Sequence, residues 1–148
     1  MNIGVDSSVI VAGVHANHPY HALAANWLVQ NLTENQLMAT HHSVLESYAV
    51  LTRLPGALRV SPSEAKDLLT ATVQANMIVP RFDSESIWTT IETLVMSSVV
   101  GGRSYDAFIL LILRSVGAQA IATFNPTHFR DLESDMVIID PSKPNQQD

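Results

Sequence analysis

The sequence contains no cysteine. This absence excludes a disulfide framework, a zinc site built on thiolates and a cysteine nucleophile. It is consistent with a protein that works in a reducing compartment such as the cytosol. Any metal site in this chain must therefore use oxygen or nitrogen ligands.

Long hydrophobic runs are also missing. The longest run, Ala107 to Leu113, has seven residues, whereas a membrane-spanning helix needs about 20. The first residues, MNIGVDSSVIVAG, have no cationic segment and place Asp6 in their apolar part, unlike a secretory signal. We therefore expect a cytoplasmic protein with no membrane partner.

Basic residues are scarce: eight Lys and Arg stand against 14 Asp and Glu, which gives a net charge of −6. This balance argues against a protein that coats nucleic acid through bulk attraction. It leaves open an enzyme that acts on nucleic acid, because carboxylates gathered at a metal site contribute to the formal charge.

The order of predicted elements favours an α/β fold. With 47% apolar and 15% charged residues in 148, the chain is typical of one packed globular domain. Short apolar stretches alternate with segments of helical periodicity, which predicts a largely parallel sheet between helices. The domain is expected to span residues 1–141, followed by a disordered tail over 142–148.

Several elements have local signals. Ser61, Pro62 and Glu64 form a capping box with proline at the first helical position, and Pro55-Gly56 ends the preceding helix. A strand is predicted over residues 77–82. The helix predicted over residues 104–116, with Ser104 as its cap, is apolar nearly all round, as a buried helix should be.

Three acids lie in apolar segments, and each has a structural alternative. Asp6 follows the first predicted strand, where ligands bind in open α/β sheets, but aspartate is also a preferred helix cap. Glu46 lies on a helix with no Lys or Arg three or four residues away, and a solvent-facing glutamate would look the same. Asp106 near its helix start could simply complement the helix dipole.

Taken together, the three acids suggest a metal site. Clustered carboxylates repel one another, and one takes up a proton unless a cation intervenes. Oxygen ligands without cysteine suit a hard ion such as Mg²⁺ or Mn²⁺. Whether the three acids converge is not decided by the sequence.

Four stretches resemble the PIN-domain family, most closely its VapC-type toxins of bacterial toxin–antitoxin pairs. They are VDSSVI with Asp6, SVLESYAVLTRL with Glu46, SYDAFIL with Asp106, and IATFNPTHF with Asn125. The resemblance covers the chain from Met1 to about Pro141. It departs from the family pattern at Asn125, where an acid is often found, so one negative charge is absent.

The resemblance implies a three-layer α/β/α fold and a metal-dependent ribonuclease. Asp6, Glu46 and Asp106 would hold Mg²⁺ or Mn²⁺, and Asn125 would complete the catalytic group. Ser8 and Thr123 resemble supporting hydroxyls that orient a ligand or a water, although a capping role for Ser8 and a strand-end role for Thr123 are equally compatible. An RNA substrate, an antitoxin partner and a homodimer are implied as well.

Other residues and functions remain open. Arg53, Arg59 and Arg103 are candidates for contacts with RNA phosphates. His15, His18 and His21 invite a zinc hypothesis, which Pro19 and the lack of a clean i, i+4 pair weaken. The alternative functions are a catalytically silent PIN-like module that binds RNA or protein, and a nucleotide-binding module, although the chain has no glycine-rich phosphate loop.

Overall fold

The computed structural model describes residues 1–132 and 135–143. Its strands are short, and the helices between them differ widely in length. The strands are β1 (Asn2–Val5), β2 (Gln36–Met38), β3 (Ala120–Ala122) and β4 (Val137–Ile139). The helices are α1 (Ser7–Val14), α2 (His21–Glu34), α3 (His41–Arg53), α4 (Pro62–Leu69), α5 (Ser86–Met96), α6 (Arg103–Ser115) and α7 (Thr127–Arg130).

The sheet is parallel throughout, with the strand order β2-β1-β3-β4. In its register, Gly4 of β1 lies opposite Met38 of β2 on one side and Ile121 of β3 on the other. After β1, the chain forms β2 on one side of β1, and it later forms β3 on the other side. The carboxyl ends of β1 and β3 therefore form a crevice of the kind in which α/β proteins bind ligands.

Helices cover both faces of the sheet. On one face, Ile3 and Val5 of β1 pack with side chains of α1, α2, α3 and α4. On the other face, Ile121 packs with α6 and Phe129 of α7. Two separate cores, one on each face, produce the three-layer α/β/α arrangement, which confirms the predicted fold class.

Gly4 determines how closely α6 approaches the sheet. A Cβ at this position would lie 2.2 Å from the side chain of Leu113, far inside van der Waals contact. The missing side chain lets Leu113, which is 1% exposed, seat against β1. Since α6 also carries Asp106, this close packing fixes the height of Asp106 relative to the end of β1.

The predicted helix boundaries hold where local chemistry specifies them. Ser61 Oγ accepts the Glu64 N–H at 3.3 Å, and Glu64 Oε2 accepts the Ser61 N–H at 3.2 Å, which completes the capping box of α4. The helix then continues as a π-helical turn over Thr70–Gln74. Helix α3 begins after Thr40, whose side chain accepts the Ser43 N–H.

Three predictions about local structure were wrong. The strand expected over residues 77–82 is reduced to a single bridge between Ile78 and Met38, because Pro80 lacks an N–H and stops the ladder. Helix α6 begins at Arg103 after Gly102 rather than after Ser104. This helix is also amphipathic, since Tyr105 is 59% exposed while Ile109 and Leu113 are buried.

The chain beyond β4 turns back on itself. Ser142 donates its N–H and its hydroxyl to Asp140 at 2.9 and 2.6 Å. Residues 144–148 of the tail predicted over 142–148 lie outside the described residues. No helix within the described ranges is long and apolar enough to cross a membrane.

Candidate active site

Asp6, the first predicted acid, and Thr123, one of its predicted supporting residues, lie at the crevice formed by the carboxyl ends of β1 and β3. The Asp6 N–H donates to the Ala122 carbonyl at 3.0 Å, and the Thr123 N–H donates to the Ile139 carbonyl at 2.9 Å. These bonds continue the sheet by one residue on each strand. They place the side chains of Asp6 and Thr123 beside each other at its edge.

Asp6 is buried and held by hydroxyl groups. It occupies the N-cap position of α1, yet its side chain makes no capping hydrogen bond. Instead, Asp6 Oδ2 accepts the hydroxyls of Ser8 and Thr123, each at 2.8 Å. The capping alternative therefore describes the backbone of Asp6 and leaves its carboxylate directed into the crevice.

The two hydroxyls are themselves held by the loop after β3. Ser8 Oγ accepts the Phe124 N–H and Thr123 Oγ1 accepts the Asn125 N–H, both at 3.0 Å. Each hydroxyl can thus direct its single proton at Asp6. Ser8 and Thr123, the two predicted supporting residues, thus both contact Asp6 directly, and Thr123 is completely buried.

Glu46 reaches the same crevice from α3. Its Oε2 accepts the hydroxyl of Ser7 at 2.7 Å, and the same hydroxyl lies 3.5 Å from Asp6 Oδ1. Ser7 therefore stands between two of the predicted acids. His42 Nε2 lies 4.0 Å from Glu46 Oε2, one helical turn away, so Glu46 is more than a solvent-facing residue of an amphipathic helix.

Asp106 approaches from α6 and is less firmly held. Its side chain is 23% exposed, and His128 Nδ1 lies 4.0 Å from its Oδ2. Burial raises the pKa of Asp106; His128 opposes this rise, the carboxylates of Asp6 and Glu46 add to it, and Arg103 opposes it. Asp6 and Glu46 are thus near enough to disfavour the charge of Asp106, and the three residues are called the acid cluster below.

Asn125 stands at the mouth of this cluster. A cleft of about 320 Å³ is lined by Ser7, Ser8, Glu46 and Asn125, among other residues. Asn125 is exposed. The structure therefore brings Asn125, the fourth predicted residue, to the cleft that Glu46 also lines, with a neutral amide in place of a charge.

The three predicted arginines occupy different surroundings. Arg103 is near enough to Asp106 to affect its pKa and lies 3.7 Å from Asp131 Oδ2. Arg53 is exposed seven residues after Glu46, on the same helical face and about 10 Å along the axis. Arg59 Nε donates to the Leu54 carbonyl, and its side chain makes no contact with the three acids among the described residues.

The zinc hypothesis for the histidine segment is not supported by the contacts of these histidines. His15 Nε2 lies 2.8 Å from the Leu58 carbonyl, His18 Nδ1 accepts the Tyr20 N–H at 3.0 Å, and His21 Nδ1 lies 2.9 Å from the Ala12 carbonyl. Both ring nitrogens of His15 and one ring nitrogen each of His18 and His21 are therefore engaged with the backbone. These bonds order the connection between α1 and α2.

The donor set of the acid cluster suits a hard cation. Hydroxyl groups donate to Asp6 Oδ2 and Glu46 Oε2, and Asp6 Oδ1 has only the long contact to Ser7. Asp106 accepts no hydrogen bond from any described residue. Carboxylate oxygens are what Mg²⁺ and Mn²⁺ prefer. Within residues 1–132 and 135–143, no three His, Cys, Asp or Glu side chains already stand at ligand spacing, so the three acids would have to move closer together to share an ion.

Sequence reasoning missed the bridging role of Ser7. The residue lies in the VDSSVI stretch between Asp6 and Ser8, and only these two neighbours were predicted to belong to the site. Its partner Glu46 is 39 positions away, and no local pattern links the two. A hydroxyl directly after an acid at a strand end was the available signal.

Comparison with known proteins gives this geometry a family. No protein-family model matches the chain. Ribonuclease VapC27 of Mycobacterium tuberculosis strain H37Rv is 30% identical over 109 residues, which cover 74% of this chain and 74% of that protein. The chain belongs to the VapC ribonuclease family. VapC40 of the same organism is 31% identical over 119 residues, 80% of this chain and 84% of that VapC.

Solved structures place the chain in the same fold. VapC20 of M. tuberculosis, a toxin that cleaves the sarcin–ricin loop, superposes with a TM-score of 0.66 at 18% identity and covers 90% of this chain and 98% of its own. VapBC2 of Rickettsia felis, bound to promoter DNA, gives a TM-score of 0.67 at 13% identity, covering 93% and 97%. These similarities confirm the VapC-type PIN fold.

Proposed function

We propose that the protein is a divalent-cation-dependent endoribonuclease whose cation, Mg²⁺ or Mn²⁺, is held by Asp6, Glu46 and Asp106. The observation that carries this proposal is the Ser7 hydroxyl, which lies 2.7 Å from Glu46 Oε2 and 3.5 Å from Asp6 Oδ1. Both of these acids also raise the pKa of Asp106. Membership of the VapC ribonuclease family supports RNA as the substrate.

Each residue of the cleft has a defined part in this reaction. When bound, a divalent cation activates water for attack on a phosphodiester and stabilises the charge that develops on the phosphate and the leaving oxygen. Ser8 and Thr123 hold the Asp6 carboxylate in one orientation through two hydrogen bonds. Asn125 presents an amide at the cleft mouth, where it can donate a hydrogen bond to a phosphate oxygen without adding negative charge.

The toxin role follows from the relatives and from one surface of this chain. The R. felis structure is a VapBC structure, and so is VapBC-1 of Haemophilus influenzae. VapBC-1 superposes with a TM-score of 0.63 at 19% identity and covers 97% of this chain and all of its own. Here, an apolar groove of about 770 Å³ lies between α3 and α4, lined by Val44, Leu45, Tyr48, Leu69, Val73 and Met77 among others. Such a groove suits the apolar face of a partner helix.

We therefore propose that an antitoxin segment occupies this groove, and that the protein acts in the cytoplasm as a homodimer. Leu45 is 69% exposed and immediately precedes Glu46, so an occupant would lie close to the catalytic cleft. Co-expression with the product of a small neighbouring gene should give a stable complex, and Leu45→Glu should abolish it. A complex that survives Leu45→Glu would contradict this location.

The test of the enzymatic proposal is cleavage of a mixed RNA pool by purified protein with Mn²⁺ or Mg²⁺ and with chelator. Asp106→Asn is purified in parallel to expose a contaminating nuclease. Asp67→Asn removes the same charge from an exposed position on α4 and serves as the matched control. We expect cleavage that needs the cation, survives Asp67→Asn and disappears in Asp106→Asn.

Two kinds of result would contradict this proposal, and the second would favour the catalytically silent binding module. Equal cleavage by wild type and Asp106→Asn, or cleavage in chelator, would contradict the proposed site. RNA binding without turnover in the presence of Mn²⁺ would point to a binding protein, for which the neutral Asn125 gives some support.

A further inference from the structure

An aromatic pair, Tyr20 and Phe124, lines the same cleft as Glu46. Tyr20 and Phe124 stack with their ring centroids 4.9 Å apart and their planes 23° from parallel. Both line the cleft that also contains Ser7, Ser8 and Glu46. A surface that could hold a flat ring therefore lies in the same cleft as Glu46, one of the three carboxylates proposed to hold the cation.

The two rings differ in how they are anchored. Phe124 is half-buried and packs against the core on the α1 side of the sheet. Tyr20 lies over Phe124 and remains 48% exposed. The His18 ring also borders Tyr20, with the two ring centroids 6.0 Å apart and the planes 44° from parallel. The exposed part of the Tyr20 ring can accept another ring by stacking.

The loop that carries Tyr20 is held in place by backbone N–H groups that donate to histidine rings. His15 Nδ1 accepts the Asn17 N–H at 3.2 Å, and His18 Nδ1 accepts the N–H of Tyr20 itself at 3.0 Å. Burial lowers the pKa of His18, with further lowering from His15 and His21, which favours the neutral ring whose Nδ1 accepts this bond. The position of Tyr20 is thus fixed before any ligand arrives, which reduces the entropic cost of binding.

The stack is tied to the acids by a short chain of hydrogen bonds. The Phe124 N–H donates to Ser8 Oγ, and the Ser8 hydroxyl donates to Asp6 Oδ2. The distance between the aromatic platform and Asp6 is therefore set by the backbone at the end of β3. His18, with Nδ1 as acceptor, carries its proton on Nε2 and presents a donor in the same cleft.

We propose that Tyr20 and Phe124 form a stacking subsite for one unpaired nucleobase of the RNA, next to the phosphate at the acid cluster. Stacking on aromatic side chains is how proteins hold single-stranded bases, and it requires little positive charge. This suits a chain with a net charge of −6. The proposal rests on the proposed ribonuclease function, and it implies that the substrate is single-stranded where it enters the cleft.

The test measures binding separately from turnover. The probe is a short fluorescently labelled single-stranded oligoribonucleotide of mixed sequence, titrated with Asp106→Asn protein so that it is not cleaved. Tyr20→Ala and Tyr20→Leu are added to this background, with Tyr20→Phe as the conservative variant. Trp88→Ala removes a ring that is 63% exposed on α5, outside the cleft, and is the matched control.

We expect Tyr20→Ala and Tyr20→Leu to weaken binding about 5- to 150-fold, the range measured for loss of one base–aromatic stack. Tyr20→Phe and Trp88→Ala should bind as the parent does, and the same RNA annealed into a duplex should not distinguish Tyr20→Leu from the parent. Tyr20→Leu keeps an apolar side chain over Phe124, and equal thermal unfolding of this variant and its parent excludes a folding defect.

Several results would overturn the subsite. Parent-like binding by Tyr20→Leu would exclude stacking, and an equal loss in Tyr20→Phe would assign the effect to the hydroxyl. Cleavage by wild type that Tyr20→Leu leaves unchanged would retain the ribonuclease and remove the subsite. Tyr20-dependent binding without cleavage by wild type would retain the subsite and remove the enzyme, so the two proposals fail separately.

Discussion

The two ends of the acid cluster are built differently. Asp6 is 6% exposed, continues a central strand and accepts two hydroxyls at 2.8 Å. Asp106 stands in the first turn of a helix and is 23% exposed at its side chain, and His128 Nδ1 lies 4.0 Å from its Oδ2. One carboxylate is positioned by the fold, while the other is held only by its helix.

This contrast suggests a division of labour. The hydrogen bonds to Asp6 fix one ligand in place, as outer hydrogen-bond partners do for metal-binding carboxylates. Asp106 lies in an environment that disfavours its charge, because burial and the neighbouring acids raise its pKa. A bound cation would relieve that cost, so the looser end gains most from its arrival.

The largest effect is expected from Asp6→Asn. This change removes a proposed ligand and the acceptor that orients Ser8 and Thr123, so RNA cleavage should fall by more than the roughly 10–100-fold typical for loss of an outer partner. The measurement is kcat/KM on one RNA substrate. Activity within tenfold of wild type would show that the fixed end is dispensable.

A smaller loss is expected when the fixed end is loosened without removing its carboxylate. Ser8→Ala deletes one of the two hydroxyls on Asp6 Oδ2 and should lower activity about 10–100-fold. Ser115→Ala removes a hydroxyl that donates to the Ile112 carbonyl at the far end of α6 and is the matched control. Equal effects of the two changes would assign the loss at Ser8 to general destabilisation.

Ser7→Ala tests the link between α1 and α3. The variant loses the 2.7 Å bond to Glu46 but leaves both acids in place, so we expect a reduction at the lower end of that range, about tenfold. A higher Mn²⁺ concentration should restore part of the activity, because the ion can then draw Glu46 toward Asp6. Loss that no Mn²⁺ concentration recovers would argue that Ser7 acts otherwise.

The smallest effect concerns stability at the loose end. Because the pKa of Asp106 is raised in the folded protein, the native state holds a proton at a pH where the unfolded chain has released it, so this residue makes stability fall as pH rises through that interval. In chelator, Asp106→Asn should unfold at a slightly higher temperature than wild type at neutral pH, and the difference should close as the pH falls. A variant that is less stable at neutral pH would contradict the electrostatic account.

Much of this organisation could be predicted from local sequence. The capping box at Ser61 and the break at Pro55-Gly56 act through neighbouring residues, and both boundaries hold. Asp6, Glu46 and Asn125 were found because each lies in a stretch that resembles its family counterpart. Glu46 and Asn125 line one cleft, and the Ser7 hydroxyl links Glu46 to Asp6. Their role as cation ligands and catalytic groups stays a prediction.

Features that depend on packing could not be predicted in this way. Ser7 and Glu46 meet only because α1 and α3 pack on one face of the sheet. The pairing of Tyr20 with Phe124 likewise joins two distant loops. The strand expected at residues 77–82 failed for the opposite reason: its apolar pattern was right, but Pro80 allows only one bridge.

The most direct test of a shared cation is a crystal grown with Mn²⁺ and measured for anomalous scattering. We predict one peak at the carboxyl ends of β1 and β3, with oxygens of Asp6, Glu46 and Asp106 within about 2.0–2.6 Å of it. Glu46 and Asp106 should have turned toward Asp6 relative to the arrangement described above. A peak elsewhere, or none at a Mn²⁺ concentration that supports cleavage, would contradict the assignment of these three acids as its ligands.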